Sequence, residues 1–165
     1  MKPLLYLLIL CFSLLIYKCN IPKKTENKST DSLFIQYHFS AETAFVDISI
    51  TGNQLVKKHL PESFKCPDNF VAQMPCYGEK DLVTEKKNLS KQQTDHLTEL
   101  VKNSGVLNLN GNYGGASENQ RYYPHLLNIK LNSKEYRLVY QSFPEAKPMP
   151  DEMKKVMDEI LNLSN

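Results

Sequence analysis

LFIQYHFSAETAFVDISITGNQLVKKH, residues 33–59, is the stretch on which the fold turns. Leu33 to Phe39 is rich in aromatic and β-prone residues and reads as a strand. From Ala44 to Ile50, Phe45, Asp47 and Ser49 alternate with Val46, Ile48 and Ile50. Successive side chains of a strand point to opposite faces, so a period of two buries one row and leaves the other half-covered. Thr51-Gly52-Asn53 supplies a turn, and Gln54 to His59 returns as the next strand. Strands joined by connections this short favour an antiparallel sheet.

The rest of the chain supplies what such a sheet needs. Pro61 to Gly78 carries Pro61, Pro67 and Pro75 with no periodicity, a loop excursion, and Asp81 to Glu85 reads as a further short strand. Ser90 and Gln93 have the spacing of a capping box, in which hydroxyl and amide each satisfy the other residue's backbone N–H. Leu97, Leu100 and Val101, with Thr94, then share one helical face, and Gly105 offers a left-handed exit. Val106 to Leu109 packs down before a polar loop, Asn110 to Gln120. Leu126–Leu131 and Tyr136–Tyr140 form a hairpin around Asn132-Ser133-Lys134. A crossing with three prolines, Ser142 to Pro150, leads into a closing helix, Asp151 to Leu163. That helix carries Met153, Val156, Met157, Ile160 and Leu161 on one stripe, and Pro150 suits its first turn. The expectation is an α+β fold: an antiparallel sheet with two amphipathic helices packed on one face, forming a single domain over 33–165.

Upstream, Met1-Lys2 precedes Pro3 to Tyr17, an uncharged apolar run with the pattern of a secretory signal. Fifteen helical residues would extend roughly 22 Å, short of the ~30 Å hydrocarbon core, so a spanning anchor would need bilayer thinning or snorkelling. Cys19 directly after this run resembles the lipid-attachment cysteine of bacterial lipoproteins, although Tyr17 and Lys18 stand where small residues are usual. Residues 1–19 are thus a signal peptide or membrane anchor, with lipoprotein, uncleaved anchor and free secretion all open. Residues 20–32 form a polar tether. The expected localisation is the cell envelope, facing the periplasm or exterior, with membrane contact through the N-terminus only.

The chain carries 20 Lys+Arg against 18 Asp+Glu, and Lys2 and Lys18 account for the excess, so the body beyond Cys19 is balanced. No field draws nucleic acid to it, and only Arg121 and Arg137 offer a guanidinium for phosphate.

From Leu89 to Leu163 the chain resembles small exported bacterial domains of unknown function. The pieces that carry the likeness are Leu89-Ser90-Lys91-Gln92-Gln93, Leu107-Asn108-Leu109, Tyr113-Gly114-Gly115 and Ser142-Phe143-Pro144. The layout is also similar to emfourin, a small inhibitor of thermolysin-like metallopeptidases. The resemblance implies a fold and carries over no inhibitory residues.

Chemistry-bearing residues are sparse. Cys66 and Cys76 enclose nine residues of the proline-bearing loop, and in an oxidising compartment they invite a disulfide worth roughly 2.5–3 kcal/mol by chain entropy. His38, His59, His96 and His125 occur singly, without the local pairing of a zinc site. Neither a nucleophile elbow nor a phosphate-binding glycine loop is present. The reading is therefore of a non-enzyme without cofactor or metal. The most suggestive region is NGNYGGASENQRYYP, residues 110–124, where Tyr113, Arg121, Tyr122 and Tyr123 are of the types enriched at interface hot spots. The expectation is an exported, membrane-tethered binding or accessory module for a protein or glycan partner, a peptidase inhibitor being one form. The alternative is a small envelope enzyme using the Cys66/Cys76 loop or His125.

Overall fold

Seven strands form one sheet in the order β4-β3-β2-β1-β6-β7-β5. They are β1 (Leu33–Ser40), β2 (Phe45–Thr51), β3 (Gln54–His59), β4 (Val83–Asn88), β5 (Gly111–Gly114), β6 (Tyr123–Leu131) and β7 (Lys134–Ser142). Helices α1 (Lys91–Asn103) and α2 (Asp151–Ser164) complete the α+β fold. The computed structural model describes residues 31–71, 74–115 and 121–165. The expected leader, Cys19 and most of the tether fall outside the described residues.

Register follows the alternation of the sequence. Ile35 pairs with Ile50 on one side and Ile129 on the other; Tyr37 pairs with Ile48 and Leu127. These side chains join Leu55 and Leu138 on one face, at 4% exposure or less, with Leu97 and Val101 of α1 and Met153, Val156 and Ile160 of α2. Each such burial contributes roughly 1.5–3 kcal/mol, so the helix-covered face is where the fold is held. The opposite face stays half-covered and carries Gln36, His38, Asp47 and Asn128.

Both helices are fixed at their ends. The Gln93 N–H donates to Ser90 Oγ (3.2 Å) and the Ser90 N–H to Gln93 Oε1 (2.9 Å), completing the capping box. Gly105 makes the exit at φ 88°, a left-handed conformation that costs a side-chain-bearing residue about 1–2 kcal/mol. Pro150 sits at the N-cap of α2, one position before the first turn. At the other end, Lys87 Nζ donates to the Leu163 carbonyl (3.2 Å) and Lys57 Nζ to that of Ser164 (3.5 Å), placing positive charge on the helix C-terminus.

Several elements differ from expectation: the hairpin strands run longer, β6 from Tyr123 rather than Leu126 and β7 over Lys134–Ser142 rather than Tyr136–Tyr140. The fourth strand starts at Val83 rather than Asp81, because Glu79–Asp81 closes a short 3-10 turn first. Within the expected polar loop, Gly111–Gly114 forms an edge strand parallel to β7, the single parallel pairing among the described strands. Gly114 is held at φ 73°, where a Cβ would lie 2.4 Å from the Gln141 carbonyl oxygen.

The topology sorts the connections by length. Tight turns at Gly52-Asn53 and Asn132-Ser133 lie at the end of the sheet where the chain enters β1. There Lys102 pairs with Asp31 (2.5 Å), and Ser32 exchanges hydrogen bonds with Asn132. The β1–β2 turn, the β3–β4 excursion, the end of β5, the start of β6 and the crossing into α2 all gather at the opposite end, about 26 Å away along the eight residues of β1.

Gly114→Ala should detach β5, because strain of about 1–2 kcal/mol adds to the backbone clash. Hydrogen exchange is expected to accelerate at residues 111–114 and 138–141 while β1–β4 keep their protection. Unchanged exchange at 111–114 would contradict this account of the edge.

Candidate functional site

The loop end is assembled around an excursion that folds over part of the half-covered face. Tyr77 anchors it: its hydroxyl bonds to Ser40 Oγ (2.7 Å) and donates to the Ala44 carbonyl (3.2 Å). The Tyr77 ring stands edge-on to Phe45, with centroids 5.8 Å apart, and Phe64 packs behind it at 6.5 Å. Cys66 and Cys76 form a disulfide with Cα atoms 5.5 Å apart, drawing the excursion into a closed loop. Lys58 on β3 pairs with Glu79 and ties down the returning limb. Val71 and Met74 are left 67% and 71% exposed, which marks the loop as presenting apolar surface rather than burying it.

Glu42, in the β1–β2 turn, joins this loop to the tyrosine-bearing segment. Its carbonyl oxygen accepts from the Cys76 N–H at 2.9 Å. Its carboxylate pairs with the Arg121 guanidinium and accepts a hydrogen bond from the Tyr123 hydroxyl. The Tyr123 hydrogen bond, the residue's own backbone amide and the Arg121 charge hold the Glu42 carboxyl below its usual range, outweighing burial. Reciprocally, the bond to Glu42 raises the Tyr123 phenol above its usual value. Between Met74-Pro75 and Arg121–Tyr123, over a floor of Ser40–Glu42, lies a groove of about 160 Å³. Tyr122 borders it and remains 42% exposed.

Of the four residues singled out in the sequence, Arg121, Tyr122 and Tyr123 therefore meet at this groove, and Tyr113 does not. Tyr113 lies on β5 in register with Tyr140, packed against the core, and its hydroxyl oxygen accepts from the Asn110 N–H at 3.0 Å. Glu42, Met74 and Tyr77 were missed. Met74 carried a weak signal, as an apolar residue inside a cysteine-bounded loop, whereas Glu42 in Ala41-Glu42-Thr43-Ala44 carried none.

The histidines are dispersed over both faces. His38 lies on the half-covered face, 3.0 Å from Asp47. His96 is on α1, 3.9 Å from Glu159. His59 Nε2 is 3.3 Å from Glu85 Oε1 without hydrogen-bond alignment, while its Nδ1 bonds to the Leu60 carbonyl (2.8 Å). His125 sits on the helix-covered side, 4.5 Å from Phe39 and 5.9 Å from Tyr140 between ring centroids. Its Nδ1 is engaged by the Tyr37 hydroxyl at 2.9 Å. Burial pushes the His125 imidazole below its ordinary value and the Tyr37 phenol up to about 12. Among the described residues no cluster of three His, Cys, Asp or Glu could hold a metal ion, and no helix is long and apolar enough to cross a membrane. Compared with known proteins, the chain matches no family model and no curated sequence.

The depressed His125 value has a definite consequence for stability. Below the ordinary value of 6.5 the unfolded chain takes up a proton that the folded chain refuses. Stability is therefore lost as pH falls from about 6.5 toward the folded value, and the loss levels off beneath it. His125→Gln should flatten that part of the curve in urea denaturation between pH 7.5 and 5. A variant with the slope of the natural chain would remove His125 as its cause.

Proposed function

We propose that the chain is an exported, membrane-tethered binding module whose protein partner docks on the loop end of the sheet. The observation that carries this reading is Glu42, whose backbone and side chain hold the disulfide loop and the Arg121–Tyr123 segment against one another. Two loops locked through one residue present Met74 and Tyr122 in a fixed arrangement, which lowers the ordering cost of association. Tyr, Met and Arg are the residue types enriched in interface cores. The groove of about 160 Å³ is below the roughly 300–1,000 Å³ of small-molecule pockets, so it suits one inserted side chain of a protein surface.

Export is the reading that the apolar run Pro3 to Tyr17 behind Met1-Lys2 supports. Inhibition of an extracellular metallopeptidase is the specific form that the emfourin-like layout brings forward.

Photo-crosslinkers placed at positions 74 and 122 of the full chain in its native membrane should trap one and the same protein. A crosslinker at position 133, on the opposite end, should not. Tyr122→Ala with Met74→Ala is expected to weaken capture about tenfold or more, the effect of one hot-spot residue. Equal trapping from position 133 would overturn the docking end. Mass spectrometry of the native N-terminus tests the anchor separately: acylated Cys19 or an intact leader supports tethering, and a soluble chain lacking both refutes it.

A further inference from the structure

At the tight-turn end of the half-covered face, a groove of about 530 Å³ lies across β1, β6 and β7. Phe34 forms one wall and Arg137 the other, with Asn128 between them. The register fixes this arrangement: Phe34 lies opposite Lys130, and Asn128 opposite Arg137. Its volume, unlike that of the loop-end groove, falls within the range of small-molecule sites, about 300–1,000 Å³.

The polar groups are oriented from behind. Asp47 stands 3.0 Å from His38 Nδ1 and accepts from Gln36 Nε2 at 3.0 and 3.2 Å. Gln36 must then turn its carbonyl oxygen toward β6, where it accepts from Asn128 Nδ2 at 3.3 Å. That bond sets the Asn128 amide and leaves its carbonyl oxygen and second N–H for other partners. Lys130 and Glu135 pair at 2.8 Å on the rim and offset one another. Arg137 is exposed, and among the described residues no carboxylate pairs with it. The groove therefore combines one exposed guanidinium, one oriented amide and one aromatic side chain.

From this geometry we infer that the groove binds a small carboxylate with a flat apolar body. The guanidinium fork matches two carboxylate oxygens, which a point charge would not do as selectively. The free Asn128 N–H supplies a further donor, and Phe34 offers a face on which an aromatic body can lie. The site is independent of the loop-end docking surface, from which it is separated along the length of β1.

The test uses benzoate as probe and benzamide as its uncharged twin, titrated into the full-length, ¹⁵N-labelled chain in detergent micelles. Benzoate should give saturable shifts of the Arg137 Nε–H and Asn128 side-chain amide signals, with a midpoint in the millimolar range expected for a fragment. Benzamide should bind at least about tenfold more weakly, and Arg137→Gln should weaken benzoate by a similar factor while leaving the other sheet signals in place. Equal shifts with benzamide, shifts that persist in Arg137→Gln, or no saturation up to about 20 mM would each overturn the assignment.

Discussion

The register of β1 is the constraint that joins the two halves of the sheet. The strand is central, with β2 on one side and β6 on the other, and its alternate residues Ile35 and Tyr37 bring together the apolar rows of both neighbours. Because side chains alternate with a period of two, a slip of one residue would send Ile35 and Tyr37 to the half-covered face and Gln36 and His38 into the core. The same register sets what meets at each end. Phe39 lies opposite both Val46 and His125, so the turn after β1 and the segment before β6 must be neighbours.

Glu42 exploits that adjacency. It occupies a turn of four residues, too short to move far from the sheet, and uses two groups for two tasks. Its carbonyl oxygen receives the Cys76 N–H, which locates the disulfide loop; its carboxylate receives Arg121 and Tyr123, which locates the other wall of the groove. The disulfide alone fixes only the internal closure of the Cys66–Cys76 loop. Its position over the sheet comes from Glu42 together with the Tyr77 hydroxyl and the Phe45–Tyr77–Phe64 ring contacts. Charge-assisted hydrogen bonds of this kind are roughly twice as strong as neutral ones, so removing the carboxylate weakens one wall of the groove more than the other.

Local chemistry explains which features could be read from the sequence. The alternation in β2, the Ser90/Gln93 capping box and the stripe of α2 are short-range patterns, and each reappears in the structure, with Leu163 buried in the stripe and the expected Leu161 only partly so. The disulfide was equally legible, because Cys66 and Cys76 enclose nine residues of one proline-bearing loop and lack Cys-x-x-Cys spacing. Strand β5 was hidden: Gly-Asn-Tyr-Gly has poor strand propensity, and its parallel partner β7 lies more than twenty residues away. Tyr113 looked equivalent to Tyr122 because composition carries no information on facing; β5 turns it toward the core. Glu42 and the groove at Arg137 are tertiary facts. Glu42 matters through residues 34 to 81 positions distant, and Asn128 is oriented through Gln36 from another strand.

The two surfaces share one structural origin. Both helices pack on the same face, so the other face is left to whatever the connections can cover. The only long connection between adjacent antiparallel strands among the described residues is the one from His59 to Val83, and it leaves from the loop end. It can reach Phe45 and Ser40 but is committed there by Tyr77, so it does not extend over Phe34, Asn128 and Arg137 at the far end. Had β3 and β4 been joined by a tight turn, that half of the face would be open as well, and the Glu42 carbonyl would have no Cys76 N–H to receive. The excursion thus shapes the smaller groove at the loop end by covering half of the face, and by stopping there it leaves the larger groove on the other half.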